Sequence, residues 1–278
     1  MELRFTKMQG LGNDFVVIDA TRQSFSPSPE LLTRLTDRRF GVGCDQILII
    51  EPPPAADVDF GYRIFNADGS EVGQCGNGSR CLARFVRDHG LSKKSQLRVR
   101  TSTSTLELNL RDDGLVTVNM GVPRFEPRDI PLTQPARALR YRLDVDGASI
   151  EFGAVSMGNP HAVIAVTDVD TARVATLGPA MQAQPAFPQS VNVGFLQVID
   201  QARARLRVYE RGSGETLACG SGACAAMAMG RIWGRLGTRV AMELRGGILH
   251  LEWAGDDQPL WMTGPAETVF EGSLEWAD

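Results

Sequence analysis

Two almost identical phrases, Gln74-Cys75-Gly76-Asn77-Gly78 and Ala218-Cys219-Gly220-Ser221-Gly222, stand 144 positions apart in a chain of 278 residues. A repeat at that spacing restricts the chain to folds that can be built twice. Other pairs follow in the same order: Gly12-Asn13 falls on Gly158-Asn159 and Gln46 on Asn192 at an offset of 146, while Phe65-Asn66 falls on Tyr209-Glu210 and Glu71 on Glu215 at 144. One change in loop length accounts for the drift, so the order argues for a duplicated domain rather than for Gly-rich turns that recur by chance. The length also exceeds one ordinary core and divides naturally into two domains of about 130 to 150 residues each. Residues 1–119, with 265–278 packing back, are expected to carry Cys75, and residues 120–264 to carry Cys219.

Within each half, short β-type segments lie between turns rich in Gly, Asp and Asn, and several alternate apolar with polar residues as in half-buried antiparallel strands. Examples are Leu3 to Lys7, Gln46 to Ile50, Leu106 to Leu110, Val193 to Val198 and Val240 to Leu244. Helices are fewer, and are expected at 30–40, 78–88 and 222–233. The last is apolar nearly all round, so it should be enclosed by sheet on every side. Between the halves Pro123, Pro127, Pro131 and Pro135 suit an extended, stiff crossover. The fold class read from these patterns is α/β (α+β), mostly antiparallel sheet around buried helices.

Bulk properties remove several function classes. A net charge of −4 and a pI near 5.5 offer no basic face for nucleic acid or anionic lipid. No stretch approaches the roughly 18 apolar residues of a membrane span, and Met1-Glu2-Leu3-Arg4 leads into a strand rather than a signal core, so a cytoplasmic protein is expected. Five cysteines (Cys44, Cys75, Cys81, Cys219, Cys224), three histidines and no Cys-x-x-Cys do not make a metal site or a disulfide framework. The three lysines, Lys7, Lys93 and Lys94, offer poor candidates for a pyridoxal Schiff base, and no Gly-x-Gly-x-x-Gly or Walker motif is present. The expectation is an enzyme with no cofactor.

Cys75 and Cys219 each precede Gly-x-Gly and an apolar helical run, which sets them at helix N-termini among N–H donors that favour thiolate. If the halves pack about a pseudo-twofold axis, the two sulfurs can address one carbon from opposite sides. Inverting a stereocentre needs that: one group removes a proton from one face while another in the opposite protonation state returns one. Helix N-termini also stabilise the enolate-like charge that develops on a carboxylate. Cys44, Cys81 and Cys224 are expected to pack in the core, the usual fate of a free thiol.

Gly10-Leu11-Gly12-Asn13-Asp14-Phe15, Asn66-Ala67-Asp68-Gly69-Ser70, Cys75-Gly76-Asn77-Gly78-x-Arg80-Cys81, Gly158-Asn159-Pro160-His161, and Glu210-Arg211-Gly212 followed by Ala218-Cys219-Gly220-Ser221-Gly222 closely resemble the diaminopimelate epimerase family, in order and over the whole chain. The resemblance implies two similar domains, each a barrel-like sheet around a central helix, closing over the substrate and commonly dimerising. It implies interconversion of LL- and meso-diaminopimelate, with Cys75 and Cys219 exchanging protons and the loops Gly76-Asn77 and Gly220-Ser221 holding the reacting carboxylate. Asn13, Gln46, Asn66, Asn159, Asn192, Glu210 and Arg211 would grip the substrate, and His161 and Glu210 would set thiol protonation. Gln74 and Phe270 depart from residues common in the family, the latter at a position linked to dimer contact. A proline-racemase-like enzyme with the same two thiols, a non-catalytic relative, and a thiol hydrolase with one nucleophilic cysteine are the rival readings.

Overall fold

In the computed structural model, residues 2–255 and 257–275 are described. The chain divides into two compact units, Met1–Val118 with Gly264–Asp278, and Asn119–Thr263. The first contains β1 (Glu2–Gly10), β2 (Asn13–Asp19), α1 (Pro29–Thr36), β3 (Gln46–Glu51), β4 (Phe60–Asn66), β5 (Glu71–Val72), α2 (Gly76–Asp88), β6 (Gln96–Arg100), β7 (Thr105–Leu110) and β8 (Val116–Asn119). The second follows with β9 (Tyr141–Val145), β10 (Ala148–Ser156), β11 (Pro160–Ala165), α3 (Val174–Gln182), β12 (Asn192–Val198), β13 (Arg203–Glu210), β14 (Gly214–Thr216), α4 (Gly220–Ile232), β15 (Arg239–Leu244), β16 (Gly247–Glu252) and β17 (Trp261–Gly264). The chain then returns to the first unit as β18 (Glu267–Glu275), antiparallel to β1.

The duplication is written in the strand pairing. In the first unit β1–β2 is antiparallel, β2–β3 parallel, β3–β4 antiparallel, β4–β6 parallel and β6–β7 antiparallel. In the second, β10–β11, β11–β12, β12–β13, β13–β15 and β15–β16 repeat that alternation. Register agrees as well: Phe15 pairs with Gln46, and His161 pairs with Asn192. Antiparallel pairs dominate, while the parallel ones arise where a connection crosses over through a helix.

Strands β2 and β3 read as apolar runs because both of their faces are covered. Val16, Ile18, Ile47 and Ile49 pack with Leu31, Leu32 and Leu35 of α1, whereas Leu48, on the other face, lies against Gly78 of α2. Helix α4 is enclosed as its composition requires, with Ala223 to Gly230 buried throughout and strands β10, β11, β12, β13, β15 and β16 around it. Burying Met227 and Met229 there contributes on the order of 2 kcal/mol each. Its small residues permit the enclosure: a methyl group added at Gly230 would come within 2.4 Å of Leu236 Cδ1. Helix α2 also buries a charge, Arg80, whose Nε donates to the Pro265 carbonyl at 3.0 Å, so the returning segment serves the helix of the first unit.

Several elements differ from their sequence-based outlines. Helix α1 stops at Thr36, short of Phe40, because the Asp37 side chain accepts from the Arg39 and Phe40 N–H groups and turns the chain. Phe40 is left 84% exposed. Helix α3 escapes the pattern since Gly178 and Pro179 interrupt it. The proline-rich crossover contains a 3-10 turn at Pro127–Asp129. Finally α2 and α4 begin at Gly76 and Gly220, two residues earlier than expected, which changes what the cysteines do.

Candidate active site

Starting the helices at Gly76 and Gly220 makes Cys75 and Cys219 the N-cap residues themselves. Their backbones are extended (φ −146°, ψ 109° and φ −119°, ψ 109°), and each sulfur accepts the N–H three residues on, from Gly78 or Gly222, at 3.4 Å. A sulfur thus fills the place usually taken by a Ser or Asp oxygen, at the positive end of the helix. Space around the first turn is tight. An added methyl at Gly78 would meet the Tyr62 hydroxyl at 2.6 Å, and one at Gly222 would meet Val208 at 3.0 Å and the Cys219 sulfur at 3.2 Å.

In the first unit the β1–β2 hairpin brings Asn13 to Cys75. Leu11 (φ 59°) and Gly12 (φ 83°) form a two-residue turn of the type that matches strand twist, so Asn13 opens β2 opposite Gly10. Asn13 Oδ1 lies 3.9 Å from Cys75 Sγ and accepts from Asn77 Nδ2 at 3.3 Å. Its Nδ2 donates to Asp45 Oδ2 at 2.9 Å. Behind Asp45 stands an ionic network: Arg38 grips Asp14 through two hydrogen bonds of 2.9 and 2.7 Å and Asp45 at 2.8 Å, and buried Lys7 donates to Asp14 and to the Gly43 carbonyl. Burial alone would raise the Asp14 pKa, but Arg38 and Lys7 outweigh it and hold the carboxyl well below its usual range. A second pair forms where β3 meets β4, as Gln46 Nε2 donates to Asn66 Oδ1 at 2.8 Å and Asn66 Nδ2 to Ser70 Oγ at 3.0 Å.

In the second unit the corresponding residues converge on Cys219. Ser221 Oγ is 3.6 Å from Cys219 Sγ, Asn159 Nδ2 donates to Ser221 Oγ at 3.4 Å, and His161 Nε2 meets Asn159 Oδ1 at 2.9 Å. His161 is buried, and burial together with the Arg211 charge lowers its pKa to about 3, so the ring is neutral and its Nε2–H donates to the amide oxygen. Asn192 donates to the Pro160 carbonyl at 3.0 Å and accepts from the Arg211 N–H at 2.9 Å, while the Arg211 guanidinium donates to the Gln189 carbonyl at 2.9 Å. Glu210 accepts a short hydrogen bond from Thr216 Oγ1 and interacts with Cys219.

The electrostatics of Cys219 correct the expectation that a helix start favours thiolate. Burial pushes its thiol well above the ordinary value, and the Glu210 carboxylate pushes it further. The Ser221 hydroxyl and Gly222 N–H pull the other way without overcoming them. Tyr62 is likewise held neutral by burial near Cys75 and Cys81, and burial raises Cys44 and Cys81 to about 12. Those two thiols and the fully buried Cys224 are packing residues.

Each unit therefore gathers its own sequence-expected residues: Asn13, Cys75, Gly76 and Asn77 with the Gln46–Asn66 pair in the first, and Asn159, His161, Cys219, Gly220, Ser221, Asn192, Glu210 and Arg211 in the second. Sequence reasoning missed Asp45, Arg38 and Thr216, which hold those residues in place. Adjacency of Asp45 to Gln46 was the one available signal.

The family model described as diaminopimelate epimerase matches residues 5–126 and 153–269. The chain is 57% identical to the diaminopimelate epimerase of Alkalilimnicola ehrlichii and 54% identical to that of Nitrosomonas europaea, over 99% of this chain and 99% and 100% of those relatives. Among solved structures, a hydroxyproline epimerase from Agrobacterium vitis superposes with a TM-score of 0.73 at 15% identity, covering 98% of this chain and 92% of that one. A PhzF-family phenazine biosynthesis protein from Bacillus anthracis does so with a TM-score of 0.69, again at 15% identity, covering 99% and 100%. These structural likenesses establish the shared fold.

Proposed function

Since the chain belongs to the diaminopimelate epimerase family, we infer that it interconverts LL- and meso-diaminopimelate by passing a proton between two cysteines and one α-carbon. It is an isomerase, and its reaction serves lysine and peptidoglycan precursor synthesis. The thiolate of one cysteine takes the α-proton, and the thiol of the other gives its proton to the opposite face of the carbanion. The two sulfurs end with their protonation states exchanged.

The observation that carries the reading is the repeat-related N-cap geometry of Cys75 and Cys219, two chemically alike acid/base groups at equivalent places in duplicated units. Inversion demands two such groups, whereas nucleophilic hydrolysis would need one, with an imidazole oriented on it. His161 instead directs its Nε2–H to Asn159. First-turn N–H groups of Gly76, Asn77, Gly220 and Ser221 stabilise the charge that builds on the reacting carboxylate, each worth on the order of 3 kcal/mol of barrier. Glu210 and Arg211 match the ammonium and carboxylate at the far end of the substrate, and the amides of Asn13, Gln46, Asn66, Asn159 and Asn192 supply both donors and acceptors. Through Asn159 and Ser221, and by direct charge, His161 and Glu210 set the protonation of Cys219.

Catalysis without pyridoxal phosphate is supported by the state of Lys7, buried with its ammonium committed to Asp14 and Gly43. A cytoplasmic homodimer completes the reading. Exposed Val269 and Phe270 on β18 offer a second copy a pair of apolar side chains, and among the described residues no helix is long and apolar enough to cross a membrane.

The test is an assay of LL-diaminopimelate in deuterium oxide with no added cofactor. Solvent deuterium should enter the α-position as the meso isomer forms, and Cys75→Ala and Cys219→Ala should each abolish epimerisation. Full activity in either variant, or equal turnover of proline or glutamate, overturns the assignment.

A further inference from the structure

We propose that Asp45 is a positioning residue for the Cys75 thiol, acting through Asn13. A carboxylate can only accept, so the 2.9 Å contact from Asn13 to Asp45 Oδ2 fixes which end of the amide is Nδ2. The other end, carbonyl Oδ1, is then the atom presented to Cys75 Sγ at 3.9 Å, where it also takes the Asn77 Nδ2 hydrogen bond. An oxygen beside the sulfur accepts from S–H and repels S−, while an NH2 in its place would do the reverse. The orientation of one amide therefore biases the acid/base state of one cysteine.

Asp45 is itself held rigidly. Its Oδ2 accepts the Asp14 N–H at 3.1 Å, its own N–H donates to Asp14 Oδ1 at 2.9 Å and to the Asp14 carbonyl at 3.0 Å, and Arg38 donates to its Oδ1 at 2.8 Å. Arg38, Asp14 and Lys7 are the charged groups around it, with Cys44 buried next to it in sequence. Tyr62 of β4 and Cys81 of α2 are titratable groups that interact with Cys75, and both are neutral over the working range. The repeat gives the second unit a different device, since Asn159 is oriented by the His161 ring rather than by a carboxylate. Duplicated asparagines thus carry unlike partners, and the two thiols, chemically alike, are made unequal.

The inference deepens the two-cysteine reading, yet its test needs no epimerase turnover. The rate of Cys75 carbamidomethylation is followed against pH by peptide mass spectrometry. Asp45→Ala, which frees the amide to turn, and Asn13→Ala, which removes the facing oxygen, should each move the Cys75 profile to lower pH and raise its rate near neutrality about tenfold, the effect of one pKa unit. Asp45→Asn keeps an acceptor for Asn13 while deleting the charge, and should stay close to the wild-type profile. Asp45→Ala placed on Asn13→Ala should add nothing. The proposal is overturned if Asn13→Ala leaves Cys75 unmoved, if Asp45→Asn shifts it as far as Asp45→Ala, or if Asp45→Ala acts equally with and without Asn13. Should Asp45→Ala not fold, Asn13→Ala and Asp45→Asn decide the matter. A Cys75 shift in a protein that fails to exchange deuterium into LL-diaminopimelate would sink the functional reading and leave this one standing.

Discussion

Cys219 is pulled in two directions, and the residues doing so are separable. The Gly222 N–H and Ser221 hydroxyl stabilise its thiolate, whereas burial and the Glu210 carboxylate oppose it and prevail. Glu210→Gln removes the charge while leaving an oxygen for Thr216, so the Cys219 thiol should ionise at lower pH and alkylate faster at any pH below its midpoint. Rates of Cys219 modification across a pH series check this; an unmoved profile would mean that burial alone sets the value. The same residue shows what the sequence made legible. Gly-x-Gly after each cysteine announces a helix start, because such a turn needs little side-chain room. The rank of burial over the N–H donors does not appear in the sequence, since it depends on how β13 and the helix close around the sulfur. Asp45 was missed for a related reason: its role lies in a network drawn from β1, β2 and the α1–β3 loop, which no local motif encodes.

At the level of elements, the alternating and all-apolar segments marked the central strands and the enclosed helix α4 correctly, because those patterns follow from which faces are covered. Elements with mixed signals were lost. Helix α3 buries Val174, Gly178 and Met181 on one face, but Gly178 and Pro179 read as breakers and hide that stripe, and β18 keeps most of its residues exposed. Helix starts were placed two residues late because Gly76 and Gly220 read as turn rather than as first helical turn. Their closeness to the sheet gives a quantitative expectation for Gly78. Gly78→Ala sets a methyl 2.6 Å from the Tyr62 hydroxyl and 3.1 Å from Leu48 Cδ2, both side chains buried. The neighbours must shift, and stability should fall by about 1–3 kcal/mol. A lower denaturation midpoint measures it, while an unchanged midpoint would show that the Tyr62 ring moves at little cost.

For the whole molecule, duplication explains why one offset along the chain could locate so many residues, since equivalent strands keep equivalent register. It also means that differences between the units stand out, and His161 is the clearest. The residue at the equivalent place in the first unit is Phe15, an apolar ring in the same register. A neutral imidazole buried there makes the protein sensitive to acid. Its folded-state pKa is lowered to about 3 from an ordinary 6.5, so below 6.5 the unfolded chain binds a proton that the folded one refuses. Stability is therefore full above that value and declines as pH falls towards 3, by about 2 kcal/mol at pH 5 from this group alone. Asp14 adds to the decline only further down, because its lowered pKa contributes stability that is lost as the carboxylate protonates. His161→Gln keeps a donor for Asn159 and removes the titration, so between pH 7 and pH 5 its denaturation midpoint should fall less than that of the wild type. With two units unfolding need not be a single transition, and the midpoint compared is the one reported by Trp233 or Trp253 in the second unit. Parallel decline in both proteins would assign the acid sensitivity to groups other than His161.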